Sequence, residues 1–171
     1  MIRRVAYKKA IIAGALGAAA WEVVIRGLIG AGVPMFDLVR TLGTMVLGPD
    51  AGVWEWWPVG LAMHALVGAI WAVFYAYFFW TLFDCPRVVQ GLIFSLLPAL
   101  LAGLIMVPQM DLMSEAVLSG SMPRKSFFAI GVGWGGPAAI VLGHIVFGLV
   151  LGYLYRDPVG YPAGERILKY G

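Results

Sequence analysis

The sequence predicts an all-α integral membrane protein with four transmembrane helices, arranged as two tandem helical hairpins with interfacial helices on the outer side. Hydrophobic residues make up 61% of the 171 residues and charged residues 12%. Soluble domains are roughly 45–50% apolar and about 25% charged. Four long apolar windows account for this excess, and short motifs recur in the two halves of the chain. These three observations define the predicted fold class.

The four apolar windows cover approximately residues 10–33, 58–83, 88–107 and 137–155. Each approaches or exceeds the roughly 20 residues that a helix needs to cross a hydrocarbon core. The windows are apolar on all sides, so they lack the alternation of a transmembrane β-strand. The first window contains Glu22 and Arg26 and is longer than a signal-peptide core, which favours a retained span over a cleaved leader.

Recurring motifs predict an internal duplication. The pattern Val-Pro-Met-Phe-Asp-Leu at 33–38 recurs as Val-Pro-Gln-Met-Asp-Leu at 107–112. The chain's two histidines lie in frames of identical spacing, His64–Gly68–Tyr75 and His144–Gly148–Tyr155. We therefore divide one membrane domain into two-helix repeats over residues 1–83 and 84–171, the second ending in a short cytoplasmic tail. Both repeats enter from the same side, which makes them parallel repeats related by an axis along the membrane normal.

The distribution of basic residues predicts the orientation. One side of the four-span topology carries Arg3, Arg4, Lys8, Lys9, Arg87, Arg156, Arg166 and Lys169, and the other carries Arg40, Arg124 and Lys125. The positive-inside rule then places both termini in the cytoplasm. The net charge of +3 reflects this topology. No basic patch interleaved with aromatic residues suggests binding to nucleic acid.

The outer segments, 34–57 and 108–136, each begin with a proline followed by an aspartate, a pattern typical of helix starts. We expect a short helix from Pro34 that lies in the outer interface and is anchored by nearby tryptophans. Asp37 and Asp111 are expected to be exposed and to stabilise helix N-termini by about 0.3–1 kcal/mol each. Whether the outer segments lie flat or re-enter the membrane does not follow from the sequence.

His64 and His144 are the first candidate site residues. With about 1.5 Å of rise per residue, both lie on the order of 10 Å below the outer boundary. One interpretation is a pair of axial ligands for a b-type haem. The other is a pair of interhelical hydrogen bonds or a proton-responsive role, since histidine has an ordinary pKa of about 6.5. We favour the second interpretation, because no further haem-pocket signal accompanies the two histidines.

Glu22 and Arg26 are the second candidates. Their spacing favours an ion pair within one helix, and ionisable residues inside a membrane are costly unless paired. The aligned positions of the second repeat, Pro98 and Ala102, are apolar. A Glu–Arg–His cluster is able to titrate or to bind an anionic headgroup. The sequence contains no catalytic motif, and its single cysteine, Cys85, excludes an internal disulfide.

Part of the chain resembles the YagU-type inner-membrane proteins. The similar stretches are Val-Gly-Leu at 59–61 and Ile-Trp-Ala-Val-Phe-Tyr at 70–75, which flank His64, with Val-Val-Gln-Gly-Leu at 88–92 and Gly-His-Ile-Val at 143–146. The resemblance implies a small bacterial inner-membrane protein with a role in acid tolerance. Both histidines match the family pattern, whereas Glu22 and Arg26 have no place in it.

The sequence as a whole predicts a non-enzymatic membrane protein that is proton-responsive or an accessory subunit of a membrane complex. Its expected partners are the lipid bilayer and either another membrane protein or further copies of the chain. In this interpretation no cofactor is bound. The alternative is a redox subunit with haem b held by His64 and His144.

Overall fold

A computed structural model describes residues 5–80, 82–83 and 85–155 of the chain, and within these ranges the regular structure is entirely helical. Four helices are long and apolar enough to cross a membrane: Tyr7–Gly30, Val53–Phe79, Arg87–Met113 and Gly135–Leu154. The predicted helical class is therefore confirmed for the described residues, together with four helices that are long and apolar enough to cross a membrane. The expected cytoplasmic tail after Tyr155, and the basic residues Arg3, Arg4, Arg156, Arg166 and Lys169, lie outside the described residues.

The described elements follow one another as α1 (Tyr7–Gly30), α2 (Leu38–Leu47), α3 (Val53–Phe74), α4 (Arg87–Leu101), α5 (Val107–Met113), α6 (Glu115–Leu118) and α7 (Gly135–Leu154). A π-helical turn, Tyr75–Phe79, continues α3, and a second, Ala102–Met106, joins α4 to α5. A 3₁₀ segment, Phe127–Val132, precedes α7. The second and third spans are therefore longer than their α-helical portions.

Helix α1 lies between α3 and α7, and α4 packs on α7. Glycines allow the backbones to approach closely, as is common between membrane helices. A Cβ atom on Gly68 would lie 2.6 Å from the carbonyl oxygen of Gly14, and one on Gly148 would lie 2.7 Å from the carbonyl oxygen of Gly91. The α1–α3 pair and the α4–α7 pair therefore cross at glycine contacts.

The third span passes the point at which the sequence predicts its end. The expected window closed at residue 107, yet the helix continues to Met113 with both Pro98 and Pro108 inside it. Each proline removes one donor from the helical hydrogen-bond ladder. The π turn between the two prolines changes the register of that ladder, so the helix absorbs them without ending.

The first outer segment also differs from its predicted course. Its helix, α2, begins at Leu38 rather than Pro34. The second span begins at Val53, five residues before Pro58, and the side chain of Glu55 accepts a hydrogen bond from the Gly52 amide at 2.8 Å. Close contacts of Gly43 with Trp56 and of Gly60 with Val39 place α2 antiparallel to the first turns of α3. The nearby tryptophans therefore belong to α3 and not to α2.

Candidate functional site

Trp21 joins the two histidines that the sequence singled out. The centroid of its indole lies 4.8 Å from the imidazole of His64 on α3 and 4.6 Å from that of His144 on α7. Gly143 makes this position available, because a Cβ atom there would overlap the indole. Sequence reasoning missed Trp21, since nothing local shows that α1 lies between the two histidine-bearing helices.

The two imidazoles differ in their hydrogen bonds. Nδ1 of His144 donates to the carbonyl oxygen of Ile140 at 2.7 Å, one turn earlier in α7. Nδ1 of His64 is buried and has no hydrogen-bond partner within the described part of the chain. The side chains are nevertheless almost equally buried, with residue exposures of 6% for His64 and 7% for His144. His64 therefore has an unused hydrogen-bonding site at the junction of three spans.

The tyrosines of the two histidine frames also come together. Tyr75 and Tyr155 are 1% and 2% exposed, and their ring centroids lie 5.8 Å apart in an edge-on arrangement. They lie about three helical turns beyond the histidines. Equivalent residues of the two motifs thus come together at two levels of the bundle. The two histidines share a contact with Trp21, and the two tyrosines contact one another directly.

Axial ligation of a haem by both imidazoles requires the porphyrin plane to lie between them. In the structure both imidazoles pack instead against the indole of Trp21. We therefore derive no chemistry through haem. Nor do the described residues include a group of three or more His, Cys, Asp or Glu side chains placed to hold a metal ion.

Arg26, five residues after Trp21 in α1, connects three elements. Its guanidinium donates to Oε1 of Glu22 through Nε and Nη2, at 3.0 and 2.7 Å. It also donates to both carboxylate oxygens of Asp37, at 2.8 and 2.9 Å, in the forked geometry that arginine favours. The indole Nε1 of Trp57 donates to Oε1 of Glu22 at 3.0 Å. Residues from α1, from the start of α2 and from α3 thus form one cluster.

The Arg26 cluster, formed by Glu22, Arg26, Asp37 and Trp57, contains two carboxylates and one guanidinium. Asp37 also accepts the Arg40 amide at 2.9 Å, which caps α2 as the sequence suggested. The predicted Glu22–Arg26 pair is present. That Asp37 joins this pair does not follow from the sequence, because the partner of this aspartate lies eleven residues earlier in another helix.

Asp111 has a different environment from Asp37. The sequence placed it, exposed, at a helix start, but it is 5% exposed and lies within α5. Its carboxylate accepts the backbone amides of Lys125, at 3.0 and 2.8 Å, and of Ser126, at 2.8 Å. Nζ of Lys125 lies 3.6 Å from Oδ1 of Asp111. Burial lowers the pKa of Lys125, and the Asp111 carboxylate opposes that shift.

Replacement of Asp111 by asparagine is expected to destabilise the fold by about 1–2 kcal/mol, because charge-assisted hydrogen bonds to two amides weaken. Amide hydrogen exchange at Lys125 and Ser126 is expected to become faster, measured by mass spectrometry in detergent. Asp50→Asn makes the same change at an exposed position and serves as the control. Unchanged exchange at both amides in Asp111→Asn would contradict the anchoring role.

Comparisons of the chain with known protein families, curated proteins and solved structures give no match.

Proposed function

We propose that this chain is a non-enzymatic, multi-pass inner-membrane protein that responds to pH through His64 and His144. The observation that carries the proposal is the contact of both imidazoles with Trp21, in the helix that separates α3 from α7. A charge on either imidazole therefore affects the packing of α1, α3 and α7 at the point where these three helices meet. Histidine is the side chain whose ordinary pKa lies closest to neutral pH.

The direction of the response follows from two opposing energies. A second proton on either imidazole places a charge in a buried site, at an effective cost of several kcal/mol. Contact of that charge with the Trp21 ring returns about 0.5–2 kcal/mol. The nearest carboxylate along α1, Glu22, is already held by Arg26 and Trp57. Acid therefore weakens the packing of α1 against α3 and α7.

Sensing is favoured over proton conduction by the packing below the histidines. From His64 to Tyr75 the helix rises by about 16 Å. Over this distance α3 packs on α1 through small residues, with Gly68 in backbone contact with Gly14. Residues 65–74 of α3 and 145–152 of α7 contain no titratable side chain. A proton route to the far side would have to cross this closely packed region.

We further infer that the two halves are tandem parallel repeats. Support comes from the meeting of equivalent residues, since each histidine contacts Trp21 and the two tyrosines contact one another. The glycine crossings of α1 with α3 and of α4 with α7 also correspond. Both features fit repeats related by an axis along the membrane normal, although α1 packs on α7 more extensively than α4 packs on α3.

The orientation and the placement of α2 belong to the same proposal. The basic residues near the start of α1 and at Arg87 favour a cytoplasmic location for that side of the bundle. Trp54, which is 88% exposed, is typical of a side chain in the outer membrane interface, next to α2. A relationship to the YagU-type proteins, with their role in acid tolerance, is consistent with a pH response and is proposed on the residues around the two histidines.

The test uses protein in which histidine alone carries ¹⁵N, produced without a histidine tag. Only His64 and His144 then contribute signals, and single replacements by glutamine assign them. Acidification is expected to shift the imidazole signals and, over the same pH range, to raise amide hydrogen exchange in α1. The variant His64→Gln/His144→Gln is expected to lose the rise in exchange. A rise of equal size in that variant would refute the proposal, as would imidazole titration without any rise.

A further inference from the structure

The histidine pair is closed towards the side of the bundle on which α1 begins, here called the inner side. Gly14 and Gly68 bring α1 and α3 into backbone contact there, and Gly17 of α1 packs against the ring of Phe147 on α7. Over these closely packed stretches, residues 10–20, 65–74 and 145–152 place no titratable side chain on the inner side of the histidines.

The opposite side, towards α2, is here called the outer side. It contains the polar and partly exposed Arg26 cluster. Glu22 directly follows Trp21 in α1, and its side chain is 5% exposed. The side chains of Arg26 and Asp37, which contact one another, are 35% and 21% exposed. Glu22, the residue next to Trp21, is therefore buried, whereas the two side chains bonded to one another beyond it are partly exposed.

We propose that His64 and His144 exchange protons with the outer side through the Arg26 cluster, so that they report the pH of that side alone. Glu22 passes protons between the cluster and the histidines, because it is the titratable member of the cluster that directly follows Trp21 in α1. The titratable groups on the outer side of the pair are Glu22 and Arg26 from α1 and Asp37 from the start of α2, and His144 is the charged group that acts on His64. This inference rests on the proposed function and adds that the histidines respond to the pH on only one side of the membrane.

The proposal is tested in liposomes whose two faces hold impermeant buffers of different pH. Cys85 lies in the turn between the second and third spans, on the inner side, and is the only cysteine. Its reaction with a membrane-impermeant maleimide therefore gives the orientation of the inserted molecules. A change from about pH 8 to about pH 4 on the outer face is expected to shift the ¹⁵N imidazole signals. The same change on the inner face is expected to leave them unshifted.

The outcomes separate the two proposals. Imidazole signals that follow the inner pH would overturn the sidedness and leave the pH response intact. Signals that follow neither face would overturn both.

A variant tests the role of Glu22. Glu22→Gln keeps a hydrogen-bond acceptor for Arg26 and Trp57 but no longer takes up protons. We expect it to slow the response of the imidazole signals to an outer pH change by about tenfold or more. Glu55→Gln makes the same change at an exposed outer position and is expected to leave the response rate unchanged. Equal rates in the native chain and in Glu22→Gln would exclude Glu22 from the route.

Discussion

Replacement of Arg26 by glutamine is expected to destabilise the bundle by about 2–4 kcal/mol. Loss of one partner from a fully buried ion pair typically costs about 3–5 kcal/mol. The lower estimate applies because the Arg26 side chain is 35% exposed, so solvent screens part of the charge. Without the guanidinium, the carboxylates of Glu22 and Asp37 lose their shared partner and repel one another. The measurement is the free energy of unfolding in mixed detergent micelles.

Arg40→Gln is the matched control for this prediction. Arg40 is exposed on α2, and the structure gives its side chain no ion pair within the described residues. We expect its replacement to change the unfolding free energy by no more than about 0.5 kcal/mol. The double variant Glu22→Gln/Arg26→Gln is expected to recover part of the loss, because one unpaired carboxylate is removed. Equal effects of Arg26→Gln and Arg40→Gln would show that the cluster does not hold α1 to α2 and α3.

The shared depth of the two histidines follows from the sequence, whereas their common partner does not. Because helical rise is fixed by geometry, counting from Pro58 and Pro137 predicts one level for His64 and His144, although α3 begins five residues before Pro58. Trp21 belongs to a third helix. Its role depends on α1 lying between α3 and α7, and that order is set by packing between helices far apart in the chain. A single apolar sequence carries little information about such neighbours.

The two aspartates show a second limit of local motifs. Asp37 and Asp111 occupy the same position of a repeated six-residue pattern. Asp37 binds a guanidinium eleven residues earlier, whereas Asp111 binds backbone amides fourteen and fifteen residues later. The pattern predicts an acid near a helix end in both cases. The partner of each aspartate depends on how its outer segment folds back on residues far along the chain. The local pattern therefore predicts the same environment for both aspartates, whereas the structure gives them different ones.

Replacement of Gly14 by leucine is expected to destabilise the bundle by about 3 kcal/mol, the upper end of the usual cost of overpacking, because a side chain at a backbone contact forces helices apart. A side chain there meets the Gly68 carbonyl and the Ala72 methyl. Gly27→Leu is the control in the same helix, since a Cβ atom at Gly27 meets nothing within 4 Å. The control is expected to be neutral or stabilising by up to about 1 kcal/mol. Unfolding in mixed micelles measures both, and equal stabilities would mean that α1 and α3 do not meet at Gly14.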